Sequence, residues 1–403
     1  MVRNKLLKGA AGAILASALL FGGITAAGAQ TIKLGASAPK TGPLAAGSEV
    51  THWPAVRLWV ADVNARGGID VGGTRMPVEL IEYDDRTSGE EAIKNIQRLA
   101  TVDKVDFIVA PYSTGLNIAT APLIAQYGYP QLAATAVGDG FEALAAKWPN
   151  SFWLLGSSKA FAEDVVGVLV DLRDKGEIGN KVAVVNVADA FGIELMAAGK
   201  PALEAAGFDI VYESSYPLEQ QDFAPIIQAA QAAGPDAFIG FSYPTDTFGL
   251  TAQAKIADLD VGAFYVGVAT AFPAYLGANG DAAEGVLGAG GINPDAAGMP
   301  EWRARHKQVT GADADYWASA MTYASLEMLE QAITAAGSLD KAAVIDKLKT
   351  MNFSTVMGEM NLAGNVNQKF WTVGQWQNGV FQGVGAEGFD DVKEPVAKAG
   401  WGG

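Results

Sequence analysis

The sequence predicts an α/β protein of two lobes, each a parallel β-sheet flanked by helices. Three observations lead there. From residue 31 onward short apolar strands alternate with helical stretches, the pattern of strand–helix–strand units. After Pro149 the same series starts afresh, which argues for a second, similar lobe. And in residues 105–135 the run Phe107-Ile108-Val109-Ala110 is apolar without alternation, as a strand covered on both faces must be.

The elements follow in order. Residues 31–36 read as the first strand, ended by the turn Pro39-Lys40-Thr41-Gly42-Pro43. A helix over 48–66 carries Val56, Val60 and Val63 at i, i+4 and i+7 and stops at Gly67-Gly68. Residues 77–83 form the second strand and 90–102 the second helix. After the strand at 107–110, Pro111 cannot donate to a ladder and closes it. Pro122 predicts a kink or restart in the helix that follows Gly115. A short strand over 129–133 leads to Thr135. In the second series the strands fall at 152–155, 181–185, 208–214, 237–241 and 263–266, with helices at 159–175, 193–206, 223–233 and 247–257. Residues 286–291 read as a further strand, 316–336 and 340–351 as helices, and 358–362, 370–376 and Val380 as hairpin material.

Composition bounds the function. Of 403 residues half are hydrophobic and 18% charged, enough for a well-packed core. Arg3, Lys5 and Lys8 precede an apolar run over 10–24, and Ala27-Gly28-Ala29 offers small residues for cleavage. Residues 1–29 therefore read as a secretory signal cut near Ala29. Its loss makes the chain three charges more negative than the formal −16. An acidic exported protein is a poor partner for nucleic acid. With no cysteine and only His52 and His306, disulfides, thiolate chemistry and His/Cys metal cages have little to draw on, and no metal or cofactor is expected. The profile suits a bacterial periplasm.

In open parallel sheets ligands bind beyond the carboxyl ends of the strands. The exit loops therefore nominate Tyr112, Ser113, Thr114, Ala133, Thr135, Asp189, Phe191, Tyr243, Asp246, Thr270 and Phe272: hydroxyls, aromatics and few charges. Strand, hydroxyl turn and helix N-terminus at Ser113 make an anion site; the competing reading is a plain N-cap. A second hydroxyl at Thr135, on the same sheet edge, favours the ligand. Trp53 reads equally as pocket wall or as packing, and His52 as a surface residue. Enzyme motifs do badly. No dinucleotide-type G-x-G-x-x-G and no Walker run occurs, and Ser338-Leu339-Asp340-Lys341 matches S-x-x-K only where Ser338 belongs as a helix cap. No catalytic role is expected.

With these pieces in order, the chain resembles the periplasmic solute-binding proteins of ABC importers, in the leucine/isoleucine/valine-binding family. The resemblance rests on Thr31-Ile32-Lys33-Leu34-Gly35, Thr41-Gly42-Pro43-Leu44-Ala45, Asp62-Val63-Asn64-Ala65-Arg66-Gly67-Gly68-Ile69, Tyr83-Asp84-Asp85, Pro111-Tyr112-Ser113-Thr114, Ala133-Ala134-Thr135 and Asp189-Ala190-Phe191-Gly192. It implies a type I periplasmic binding fold: two Rossmann-like lobes joined by a three-crossing hinge. The lobes would comprise 30–152 with 280–351, and 153–279 with 352–403. It implies a small carboxylate held at Ser113, Ala133 and Thr135, closed over by Phe191, Tyr243 and Thr270, and passed to an ABC permease in the inner membrane. The family's acid for a ligand ammonium would fall at 268–271, where this sequence has none; Asp246 or Asp189 are the substitutes at hand. Two ligand classes therefore stay open, amino acids and acids lacking the amino group, aromatic ones among them. A ligand-sensing domain rather than a transport component is the further alternative.

Overall fold

The computed structural model describes residues 30–401, so the expected export signal, 1–29, lies outside the described residues. Ile32–Ala38 is the centre of a parallel three-stranded sheet between Val78–Asp84 and Phe107–Val109, with Ile32 opposite Val78 and Leu34 opposite Phe107. Gln131–Ala133 and Ser151–Trp153 continue the first half as a parallel pair. The second half holds a seven-stranded sheet. Asp209–Tyr216, Lys181–Val187, Ala237–Phe241, Ala263–Val266 and Leu287–Ala289 run parallel in that spatial order, and the antiparallel hairpin Phe370–Gln377/Val380–Glu387 completes the edge. Phe107–Val109, Ala237–Phe241 and Ala263–Val266 are buried throughout, as their unbroken apolar runs require. Each fully buried Val, Leu or Phe contributes about 1.5–3 kcal/mol.

The chain passes three times between the two sheets, and the passing segments are tied together. Trp153 bridges Val366, and the Asn367 N–H donates to the Trp153 carbonyl at 2.9 Å. The Asn367 amide donates to the Leu154 carbonyl at 2.9 Å, and the Asn365 amide to that of Ser151 at 2.8 Å. In the third passage Gly290 N–H donates to the Thr372 carbonyl at 2.9 Å and Gly383 N–H to that of Ile292 at 3.1 Å.

Several expectations are corrected. The first long helix is two, Ala45–Thr51 and Trp53–Ala65, broken at His52 with Pro54 seated in the first turn of the second. Helix Thr114–Gln126 runs through Pro122 without restarting; the proline forgoes only its own bond to the preceding turn. Asp340, not Ser338, caps helix Lys341–Thr350, accepting the Ala343 N–H at 2.8 Å. Residues 280–289, expected with the first lobe, bring Leu287–Ala289 into the second sheet. Conversely, hairpin Asn352–Thr355/Gly358–Asn361 packs on helix Ala318–Ala336 beside the first sheet: Gln331 exchanges hydrogen bonds with Ser354, and Val356 N–H donates to Glu327 Oε2 at 2.7 Å. Local strand patterns reveal that a strand exists but not which sheet it joins. Among the described residues no helix is long and apolar enough to cross a membrane.

Candidate functional site

On the first-sheet side, Ser113 occupies φ 83°, ψ 154°, backbone that an L-residue rarely adopts. Its hydroxyl oxygen accepts the Leu116 N–H at 3.3 Å and caps helix Thr114–Gln126. Its own N–H donates to Thr135 Oγ1 at 3.3 Å, and the Thr135 hydroxyl donates to the Pro111 carbonyl at 3.2 Å. Thr114 repeats the arrangement with Val137, donating to its carbonyl and accepting its N–H, both at 3.1 Å. Two hydroxyl clasps thus bind the exit loops of neighbouring strands into one surface.

On the second-sheet side, Asp189 caps helix Ala190–Ala205 by accepting the Gly192 N–H at 3.1 Å, which sets Phe191 at the strand exit. The Phe191 ring lies 5.0 Å from that of Tyr243, inclined by 31°. Asp246, 1% exposed, accepts the Tyr243 N–H at 3.3 Å and the Tyr216 hydroxyl at 3.5 Å. Burial raises the Asp246 carboxyl to about 7 and also raises that of Asp189.

The carboxyl ends of the two sheets face one another across a cavity of about 20 Å³. Tyr112, Thr114, Thr135 and Val137 wall it from the first sheet, and Phe191, Tyr243 and Val268 from the second. Thr51, Leu155, Trp317 and Ala318 complete the lining, in which no residue is charged. Two polar atoms in this wall are buried without a hydrogen-bond partner among the described residues, the Tyr243 hydroxyl and the Trp317 indole nitrogen. The Tyr243 phenol is driven well up, first by burial and then by the nearby Asp189 and Tyr112, with the Asp189 carboxylate and the Ser113 hydroxyl beside it. Each orphan is a cost that an acceptor in the cavity would remove.

Of the nominated residues, Tyr112, Thr114, Thr135, Phe191 and Tyr243 reach the cavity, and Ser113 is bonded to its wall. Ala133, Trp53, Thr270, Asp246, Asp189 and Phe272 do not line it. Ala133 packs with Ala136, Phe141 and Trp153. The Trp53 indole donates to the Pro39 carbonyl at 3.3 Å under the Lys40 ammonium, 4.5 Å from its ring. The Thr270 hydroxyl turns back to the Val266 carbonyl at 2.6 Å. Asp246 is a helix cap. His52 is buried rather than on the surface, and burial holds its imidazole down to about 3. Trp317 was missed because it follows no parallel strand of either series, the helix-capping Asp315 just ahead of it being the available signal, and Leu155 because residues 152–155 read as strand whereas the strand ends at Trp153. A larger groove of about 610 Å³, beside Asp139, Lys159 and Gln368, is open to solvent and edged by the exposed pair Lys159–Glu163.

A family model described as periplasmic binding protein matches residues 31–380. Leu/Ile/Val-binding protein homolog 7 of Brucella melitensis biotype 1 is 27% identical over 248 residues, 60% of this chain and 59% of that relative, so the match spans little more than half the relative's length. Among solved structures, the chain resembles a solute-binding protein of an ABC transporter from Rhodopseudomonas palustris BisB5 in complex with 3,4-dihydroxybenzoic acid (TM-score 0.75, 23% identity, 91% of this chain and 99% of that one). It also resembles the branched-chain amino acid substrate-binding protein LivJ of Streptococcus pneumoniae in complex with isoleucine (TM-score 0.75, 19% identity, 89% and 99%). At these identities the structures speak for the fold alone, that of a type I periplasmic binding protein. The relatives are substrate-binding proteins and not enzymes. With its family model covering both sheets and their connections, this chain belongs to the periplasmic binding protein family.

Proposed function

We propose that this protein is the capture component of an ABC importer, holding a small organic carboxylate between two hinged lobes and delivering it to a membrane permease. One observation carries the reading. The strand exits of two separate sheets line a cavity in which the Tyr243 hydroxyl, 4% exposed, meets no hydrogen-bond partner among the described residues. A buried hydroxyl left open in a closed wall suits a ligand acceptor. The hydroxyls of Ser113 and Thr135 and the first turn of helix Thr114–Gln126 add a region of positive potential suited to an anion. The three passages between the sheets supply the hinge. The ligand shifts the open–closed equilibrium by binding the closed form more tightly. Residues 1–29 would direct export and be removed near Ala29, which N-terminal sequencing of the exported protein would establish.

The relatives span both ligand classes, isoleucine in one structure and 3,4-dihydroxybenzoic acid in another. The test is a thermal-shift and calorimetric screen of the mature chain against leucine, isoleucine, benzoate and 3,4-dihydroxybenzoate. At least one carboxylate is expected to raise the melting temperature, since ligand bound to the native state stabilises it. Replacing Ser113 or Thr135 by Ala is expected to weaken that binding by about 1–3 kcal/mol each. Full affinity in both variants would reject the site.

A further inference from the structure

Trp317 is seated by several independent contacts. It immediately precedes helix Ala318–Ala336, whose first N–H groups are held by Asp315: Ala318 donates to Oδ2 at 3.0 Å and Ser319 to Oδ1 at 2.8 Å. Arg303 Nη1 donates to the Asp315 carbonyl at 2.8 Å, and Tyr316 N–H to that of Ala271 at 3.0 Å. The indole lies against Gly290, at φ +99°, where a Cβ would stand 2.1 Å from Trp317 Cγ. Phe161 packs on the ring at 5.8 Å. In a ring so firmly placed and only 4% exposed, the Nε1–H nevertheless has no hydrogen-bond partner among the described residues, and the residue lines the same cavity as Tyr243. An indole nitrogen can only donate, so whatever completes it must bring an acceptor.

We propose that Trp317 is a specificity-determining ligand contact, its Nε1–H donating to an oxygen of the bound acid, and that the ligand is a carboxylic acid without an amino group. This rests on the small-acid reading above and names its substrate class. The cavity wall contains no carboxylate. Of the two acids nearest the second-sheet exits, Asp246 is taken up by the Tyr243 N–H and the Tyr216 hydroxyl, and Asp189, whose Oδ1 accepts the Gly192 N–H, stands behind Tyr243 and Tyr112 and outside the wall. An ammonium would face the donor of Trp317 and the apolar side chains of Leu155, Val137 and Val268 with no opposite charge in the wall. An acid offering acceptor oxygens instead satisfies both orphans, Tyr243 O–H and Trp317 N–H.

The test titrates the mature chain and its Trp317→Phe variant by calorimetry with leucine, its amino-free counterpart 4-methylpentanoate, benzoate and 4-hydroxybenzoate. The wild type is expected to bind at least one amino-free acid at least tenfold more tightly than leucine. Trp317→Phe is expected to lose fivefold or more for that acid. In parallel, ¹⁵N-labelled indole resonances of the wild type are followed on adding the same acid. One of them is expected to move downfield, a readout that does not depend on the variant folding. Leucine binding as tightly as every amino-free acid, undiminished affinity in a folded Trp317→Phe, or indole resonances that all stay in place would each overturn the proposal while leaving the small-acid reading standing. Binding of none of the four probes would remove that reading itself, and this inference with it.

Discussion

The N–H of Ser113 donates to Oγ1 of Thr135 at 3.3 Å, joining the exits of two neighbouring strands through a residue held at φ 83°. The backbone strain and the helix cap are vested in the same side chain, so substitutions at Ser113 separate them. Glycine tolerates the positive φ and costs a helix cap only a few tenths of a kcal/mol. Alanine keeps the strain and loses the cap. Ser113→Ala is expected to be less stable than Ser113→Gly by about 1–2 kcal/mol in urea unfolding. Equal stabilities would show that this backbone conformation is not strained.

Tyr243→Phe is expected to move stability and binding in opposite directions. Removing a buried hydroxyl that has no partner lifts a desolvation cost of about 1–3 kcal/mol from the unliganded protein. The same change deprives the ligand of a donor. A rise in the unliganded melting temperature together with weaker carboxylate binding is the expected pair. A lower melting temperature would mean that the hydroxyl is satisfied within the protein.

Gly290→Ala probes the seat of Trp317. At φ +99° alanine is strained by about 1–2 kcal/mol, and its Cβ would meet Trp317 Cγ at 2.1 Å. The indole must move, so a loss of stability beyond the backbone cost is expected, with an altered tryptophan emission spectrum. An unchanged spectrum would show that the ring is free to accommodate a methyl group.

The pH dependence of stability carries a signature at Glu327. Burial, the leading cause, raises its folded-state carboxyl to about 7 from an ordinary 4.5, so the folded form binds the proton more tightly than the unfolded. This group's contribution therefore falls as pH rises from about 4.5 to about 7, whereas His52, held down to about 3 by burial, contributes the opposite slope between about 3 and 6.5. Glu327→Gln is expected to be stabilised relative to wild type above pH 7, with the difference vanishing towards pH 4. Melting temperatures of both proteins across that range check it, and a difference independent of pH would refute the assignment.

Much was legible in the chain because parallel strands and their exits carry local signals. The apolar runs at Phe107–Val109, Ala237–Phe241 and Ala263–Val266 are strands because nothing else buries both faces of so short a segment, and Tyr112, Thr135, Phe191 and Tyr243 follow from where such strands end. Tertiary structure alone decided the rest. Leu287–Ala289 and hairpin Asn352–Thr355/Gly358–Asn361 change halves because sheet and helix partners distant in sequence claim them. Thr270 and Asp246 sit at strand exits yet turn to the Val266 carbonyl and the Tyr243 N–H, since a polar group takes the nearest partner once buried. Trp317 joins the cavity through the packing of its helix and a glycine 27 residues earlier, a juxtaposition made by three-dimensional packing that no local periodicity encodes.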